Sequence, residues 1–387
     1  MDIQRMDTAY YVFDIEILKK RVAYLRSRLP QSVQLCYAVK ANTFLIQALA
    51  GEVERFEICS PGEAVICEKM KVPDHQMVIS GVYKTPAVMQ QMAEMEDDRI
   101  FTVESAEQFA LFLQLSKKRR KKIPLLLRMT NNSQFGMNPE EIKKIIKCRE
   151  EYPELEVRGI QFFSGTQKNS VKKIKRELVH LDIFLSELKE LYGYEVQELE
   201  YGPGLPVAYF KEDEIDEELL LAGLTAGIQE MANTPQIVLE LGRSIVAGCG
   251  SYYTHVVDKK TNGGQNYLLL DGGMHQLAYF GQHMAMKQPF LRLCGKKAEQ
   301  QPVITYHLCG SLCSMNDILA KQVLLPEIEI GDLLCFENAG AYCVTEGIAL
   351  FLSRELPAVF IKTEEGTYMC ARKPMETAGL NMPAVKL

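Results

Sequence analysis

The chain has 387 residues, 47% of them apolar and 24% charged, with a formal net charge of −6. That length accommodates one barrel of about 250 residues with a smaller companion domain, and no apolar run reaches membrane-spanning length. The modest negative charge argues against nucleic acid as a partner, and the basic run Lys117–Lys122 reads as the solvated end of a helix.

The N-terminus shows no basic stretch followed by an apolar one, so no signal peptide and a cytoplasmic location are expected. Eleven cysteines are scattered without a Cys-x-x-Cys pair, as reduced thiols would be. The cluster of His307, Cys309 and Cys313 is too loose to indicate a metal site.

In chain order, an apolar Ala9–Phe13 and a helical pattern over Ile15–Leu29 come first. Eight short apolar runs follow at fairly even spacing: Gln34–Ala41, Arg55–Ser60, Gln76–Gly81, Arg99–Glu104, Pro124–Met129, Glu156–Phe163, Glu198–Gly202 and Pro235–Gly242. Helical spacing fills the intervals, as over Ala106–Leu115. Asn138-Pro139-Glu140-Glu141 combines a capping side chain, proline at the first helical position and acids in the first turn.

Eight strands alternating with helices predict an α/β fold, a (β/α)8 barrel over residues 14–243. Beyond Ser244 the pattern changes to strands joined by turns: Ser251–Asp258, Tyr267–Asp271, Val303–His307, Asp332–Phe336 and Ala358–Thr363. This predicts a C-terminal antiparallel β domain over 244–387, joined by residues 1–13, with helix-like interruptions at Asp317–Gln322 and Ala339–Leu350.

Barrel active sites form at the carboxyl ends of the strands. The polar and glycine residues there are Lys40 and Asn42, Ser60, Arg128, Gly165 and Thr166, Gly202 and Gly204, Glu240, Gly242 and Arg243. A desolvated amine such as Lys40 loses its proton more easily, which suits Schiff-base formation with an aldehyde. An acid such as Glu240 beside it would keep the ring nitrogen of pyridoxal phosphate protonated, making the ring an electron sink. Gly202-Pro-Gly204 lets main-chain N–H groups approach an anion, which Gly165, Thr166 and Arg243 could also reach. Late in the chain, the small residues before Tyr342 place backbone tightly against a neighbour, and the phenol can donate to a phosphate.

These motifs resemble the fold-type III pyridoxal-phosphate decarboxylases, which include diaminopimelate, ornithine and arginine decarboxylases and are related to alanine racemase. The resemblance runs through Tyr37-Ala-Val-Lys40-Ala-Asn42, Gly165-Thr-Gln167, Gly202-Pro-Gly204, Glu240-Leu-Gly-Arg243, Leu312-Cys313 and Phe336-Glu-Asn-Ala-Gly-Ala-Tyr342. It implies pyridoxal 5'-phosphate as cofactor, Lys40 as its Schiff-base partner, Glu240 at the ring nitrogen, and Arg128 near the ring oxygen. It also implies Thr166, Gly202, Gly204, Arg243 and Tyr342 around the phosphate, and Cys313 as a proton donor reaching across a homodimer with shared active sites.

Departures concern the substrate. Phe163 stands where the family stacks a histidine on the ring, and Gln134 where lysine is common. Ser314 follows Cys313 where an acid would grip a distal amine, and Tyr279 stands roughly where diaminopimelate enzymes keep an arginine. The expected substrate is therefore an amino acid, free or linked to a carrier or citryl group, decarboxylated at its α-carbon. His275, His283, Tyr279, Ser314, Asp317 and Glu346 are candidate substrate contacts. An amino-acid racemase on the same fold is the alternative that Glu240 argues against, and a non-catalytic pyridoxal-phosphate carrier is opposed by the length of the chain.

Overall fold

The computed structural model describes residues 6, 9–87, 89, 98–117, 122–282, 284–295 and 302–384. His283 and residues 118–121 of the basic run lie outside these. Internal contacts divide the chain into two units, one of Met1–Arg21, Val207–Ile215 and Ile245–Leu387, the other of Val22–Pro206 and Asp216–Ser244.

The second unit is a closed barrel of eight parallel strands, β2 (Gln34–Ala38), β3 (Arg55–Ile58), β4 (Met77–Ile79), β5 (Ile100–Val103), β6 (Ile123–Met129), β7 (Leu155–Phe163), β8 (Glu198–Gly202) and β9 (Gln236–Leu241). The barrel closes where Cys36 of β2 pairs with Glu240 of β9. Parallel strands covered on both faces read as short apolar runs, which is why all eight were visible in the sequence. Cys36, Val78, Ile100, Leu126 and Val238 form one buried cluster. Replacing Leu126 with alanine there would cost about 2–5 kcal/mol.

Helix starts are set by side chains that occupy otherwise unpaired N–H groups. Ser60 accepts from Glu63 N before Pro61–Lys69, Ser105 from Gln108 N before Ala106–Ser116, and Asp216 from Leu219 N before Glu217–Gln229. Asn138 and Glu141 form the expected capping box of Pro139–Lys147. The helix Val171–Tyr192 starts at Ser170 and ends at Gly193 in the left-handed conformation.

The other unit is a sheet with β1 (Tyr10–Asp14) at its centre, flanked by β10 (Gly250–Asn262) and β16 (Ala358–Lys362). Outward from β10 follow β11 (Gln265–Leu270), β13 (Val303–Cys309) and β14 (Ile318–Pro326), while β17 (Tyr368–Arg372) borders β16. Strand β15 (Leu333–Phe336) also pairs with β10 and carries β12 (Leu291–Leu293). The sheet is mixed rather than purely antiparallel, because β1 runs parallel to β16 and β11 parallel to β13.

Two expected helices are absent. Asp317–Gln322 instead opens β14, whose residues pair antiparallel with β13 across a bulge at Tyr306/Leu308. That irregularity breaks the period-two alternation that marks a strand in sequence. Ala339–Leu350 forms turns, with Asn338 at φ +54° and Tyr342 at φ +65°, conformations that interrupt a right-handed helix. Among the described residues no helix is long and apolar enough to cross a membrane.

Candidate active site

Lys40 occupies a single 3-10 turn, Val39–Ala41, directly after β2. Contrary to the desolvated amine expected from sequence, its side chain is 39% exposed, because the turn carries it past the end of the strand, and its Nζ donates to Glu57 Oε2 at 2.8 Å and to Cys59 Sγ at 3.6 Å. Glu240 Oε1 lies 3.6 Å from the same amine. Glu57, near the end of β3, and Glu240, near the end of β9, are both buried.

Two adjacent buried carboxyls do not both ionise readily against one cation. Burial raises the proton affinity of Glu57, but the Lys40 ammonium and a hydrogen bond from Glu240 outweigh it and hold Glu57 at about 2. Burial and the Glu57 charge together push Glu240 well above the carboxylate range. The arrangement is one amine in contact with two buried acids whose proton affinities are driven in opposite directions. Glu57 was not singled out from sequence; the signal was a charged residue within the otherwise apolar Phe56–Ile58.

On the far side of the barrel, Arg128 Nη1 donates to Glu104 Oε1 at 3.0 Å and its guanidinium lies 4.9 Å from the Phe135 ring centre. Glu104 Oε2 also accepts from Gly136 N at 3.3 Å, which fixes the loop after β6. Lys84 is a second amine, donating to Gly81 O and to Thr102 Oγ1 at 3.3 Å. Burial lowers it to about 8, against the opposing charge of Glu104.

Thr166 and Arg243 meet: Arg243 Nε, at the start of the turn that follows Gly242, donates to Thr166 Oγ1 at 2.8 Å. Gly204 has φ +62°, and a Cβ there would lie 2.0 Å from Gly165 O. The two loops approach so closely that only glycine fits at this position. The Phe163 ring lies against Gly202, leaving 2.4 Å between its Cδ2 and the place a Cβ would take. A hydroxyl, a guanidinium and glycine backbone thus gather around the ends of β7, β8 and β9.

The remaining candidates belong to the sheet unit. Asp317 is buried, its Oδ1 accepting from Met274 N and its Oδ2 from Leu312 N, each at 2.8 Å. It therefore pins the loop that carries Cys313, whose thiol is exposed, and Ser314, whose main-chain N donates to Leu312 O. Tyr279 is buried against Tyr209 and Phe210, and its hydroxyl donates to Glu337 O at 2.5 Å. His275 is buried with neither ring nitrogen partnered among the described residues, and burial, aided by the Arg354 charge, lowers it to about 4. The Tyr342 carbonyl accepts from Thr345 N and Glu346 N. A cavity in this unit is lined by Leu277, Tyr279, Leu319, Glu346 and Ile348.

Comparison with known proteins agrees with this architecture. The diaminopimelate decarboxylase of Aquifex aeolicus (strain VF5) is 26% identical over 88% of this chain and 83% of its own. The L-glutamyl-[BtrI acyl-carrier protein] decarboxylase of Niallia circulans is 24% identical over 96% of this chain and 92% of its own. The fold is shared with the crystal structure of the M. jannaschii diaminopimelate decarboxylase in complex with L-lysine, at a TM-score of 0.87 and 22% identity over 99% of this chain and 93% of that one. The model of the pyridoxal-dependent decarboxylases with their C-terminal sheet domain matches residues 10–340, and this chain belongs to that family.

Proposed function

We propose that the chain decarboxylates, at the α-carbon, an amino acid whose distal end is masked by conjugation to a carrier or an acyl group. The observation that carries this reading is Tyr279, a buried neutral side chain whose hydroxyl is engaged by the Glu337 carbonyl. It offers no cation to a distal carboxylate, and Ser314 offers no anion to a distal amine. Recognition of a free diamino acid rests on such buried charge partners. The match to the carrier-protein decarboxylase over 96% of this chain supports the same reading.

The residues present fit pyridoxal 5'-phosphate. The amine of Lys40 can hold its aldehyde, while Thr166, Gly202, Gly204 and Arg243 present hydroxyl, main-chain and guanidinium donors suited to its phosphate. Tyr342 is a further phosphate donor in this reading, Phe163 a stacking surface, and Arg128 a partner for the ring oxygen. When bound, the cofactor supplies an electron sink for the pair released as CO2 departs.

The chain's own groups manage charge and protons. Glu57 balances the Lys40 ammonium, and Glu240 keeps a proton at the position proposed for the ring nitrogen. Cys313, exposed on a loop fixed by Asp317, returns a proton to the α-carbon, supplied by a second copy of the chain in a homodimer. Purified protein loaded with pyridoxal phosphate is to be tested for CO2 release from free L- and D-amino acids and from their citryl and carrier conjugates. Release from a conjugate alone is expected; free diaminopimelate outpacing every conjugate defeats the substrate reading. Solvent deuterium entering the α-carbon without CO2 release would make the chain a racemase.

A further inference from the structure

Lys168 was not among the residues selected from sequence, and its side chain is almost fully buried beneath the glycine loops. Its Nζ donates to Glu177 Oε2 at 2.6 Å, to Ser164 Oγ at 2.9 Å and to Gly202 O at 3.4 Å. Its main-chain N donates to Gly204 O at 2.9 Å. A Cβ on Gly204 would lie 2.9 Å from Lys168 Cε, so the lysine stem runs directly against that glycine.

Glu177 comes from the helix Val171–Tyr192 and also accepts from the Tyr201 hydroxyl at 2.7 Å and from the Ser164 hydroxyl. The ammonium further sits 5.4 Å from the centre of the Tyr201 ring. Burial lowers the proton affinity of Lys168, and Glu177 opposes that effect.

A buried ion pair is a costly means of joining two loops, since apolar side chains of similar volume often stabilise as well or better. The distinctive property of this one is where its cation lies. Lys168 links the loop bearing Gly165 and Thr166 to the loop bearing Gly202 and Gly204, and the charge stands behind the glycine backbone that would face an anion. We infer that Lys168 is a positioning residue for the cofactor phosphate, holding the two glycine loops in register so that their main-chain N–H groups can face the anion. This rests on the pyridoxal-phosphate reading above.

The test compares pyridoxal phosphate with pyridoxal, which differ only in the phosphate, by equilibrium dialysis against cofactor-stripped full-length protein. Lys168→Met is expected to weaken pyridoxal phosphate binding about tenfold while leaving pyridoxal binding unchanged, as misplacement of main-chain donors specific to the anion requires. The phosphorus NMR resonance of bound pyridoxal phosphate should shift in the same variant. Equal losses for both compounds, or no loss for either, would overturn the inference. Should Lys168→Met fail to fold, Ser164→Ala removes one link between the lysine and its loop. A smaller loss in the same selective sense is expected there, and an unchanged preference for the phosphorylated compound overturns the proposal. Wild-type protein that binds neither compound would instead overturn the cofactor reading and the inference with it.

Discussion

Lys40 Nζ lies 2.8 Å from Glu57 Oε2 and 3.6 Å from Glu240 Oε1, one amine held between two buried acids. The pairing register explains the meeting: Cys36 of β2 lies beside Glu240 of β9, while Ala38 of β2 lies beside Glu57 of β3. The strand that ends in Lys40 is thus flanked by the strands that carry the two acids. Closing the barrel brings together groups far apart in sequence, and one cation cannot stabilise both as anions.

Glu57→Gln should transfer the role of counter-ion to Glu240. With the neighbouring charge gone, the proton affinity of Glu240 is expected to fall, burial still opposing its ionisation. Infrared spectra of the cofactor-free protein, followed against pH, should then show the protonated-carboxyl band that Glu240→Gln identifies disappearing at lower pH than in the wild type. Turnover should fall by about 10²-fold, in line with removal of an acid–base group. A band that persists unchanged in Glu57→Gln would refute the shared-proton account.

Glu200, fully buried on β8, accepts from Gln161 Nε2 at 2.7 Å, and its second oxygen has no partner among the described residues. Burial, reinforced by the charges of Glu198 and Glu57, raises it to about 8. A carboxyl whose folded-state value is raised contributes stability below its unfolded value, near 4.3. That contribution is lost as pH rises through about 8, because the folded state binds the extra proton. Denaturant unfolding of the cofactor-free protein should therefore show stability falling between pH 5 and pH 8 by on the order of a few kcal/mol. Glu200→Gln should flatten the profile; an identical slope in the variant would exclude Glu200 as the source.

The barrel was legible because buried parallel strands are short and apolar, and because polar residues stood at their carboxyl ends. Lys40, Thr166, Glu240 and Arg243 are found together with partners at strand ends for that reason. Glu57 and Glu104 were not, since each stands in or beside an apolar strand and acquires meaning only from the cation opposite it. Lys168 and Glu177 are nine positions apart across a loop and a helix start, a spacing that matches no regular period. In the sheet unit, β14 was masked by a bulge in its pairing, and the parallel partners of β1 and β11 depend on long-range topology that no local pattern encodes.

Asp317→Ala should loosen the Cys313 loop. The carboxylate holds the Met274 and Leu312 amides and also packs against Gly273 and Gly310, so its removal leaves two donors without their acceptor. A stability loss of about 2–4 kcal/mol is expected for the two charge-assisted hydrogen bonds. If Cys313 is the proton donor, kcat should fall with little change in KM, because the loop acts on the step after carbon–carbon cleavage. A variant with wild-type stability would show that these bonds contribute nothing net, and an effect confined to KM would assign the loop to substrate binding.

A site shared across a homodimer, as proposed above, makes a statistical prediction. In such an assembly Lys40→Ala would remove the amine from its own site, whereas Cys313→Ala would remove the proposed proton donor from its partner's site. Each homodimer of either variant alone is then defective in both sites, but a mixed dimer retains one site with both residues intact. Random exchange in an equal mixture makes half the dimers mixed, so about a quarter of the wild-type activity per chain should return for a symmetric assembly. Recovery is to be followed by CO2 release as the two proteins exchange, with each variant incubated separately as the baseline. Exchange demonstrated by differently tagged chains, without any rise in activity, would place Lys40 and Cys313 in the same subunit's site or remove Cys313 from the reaction.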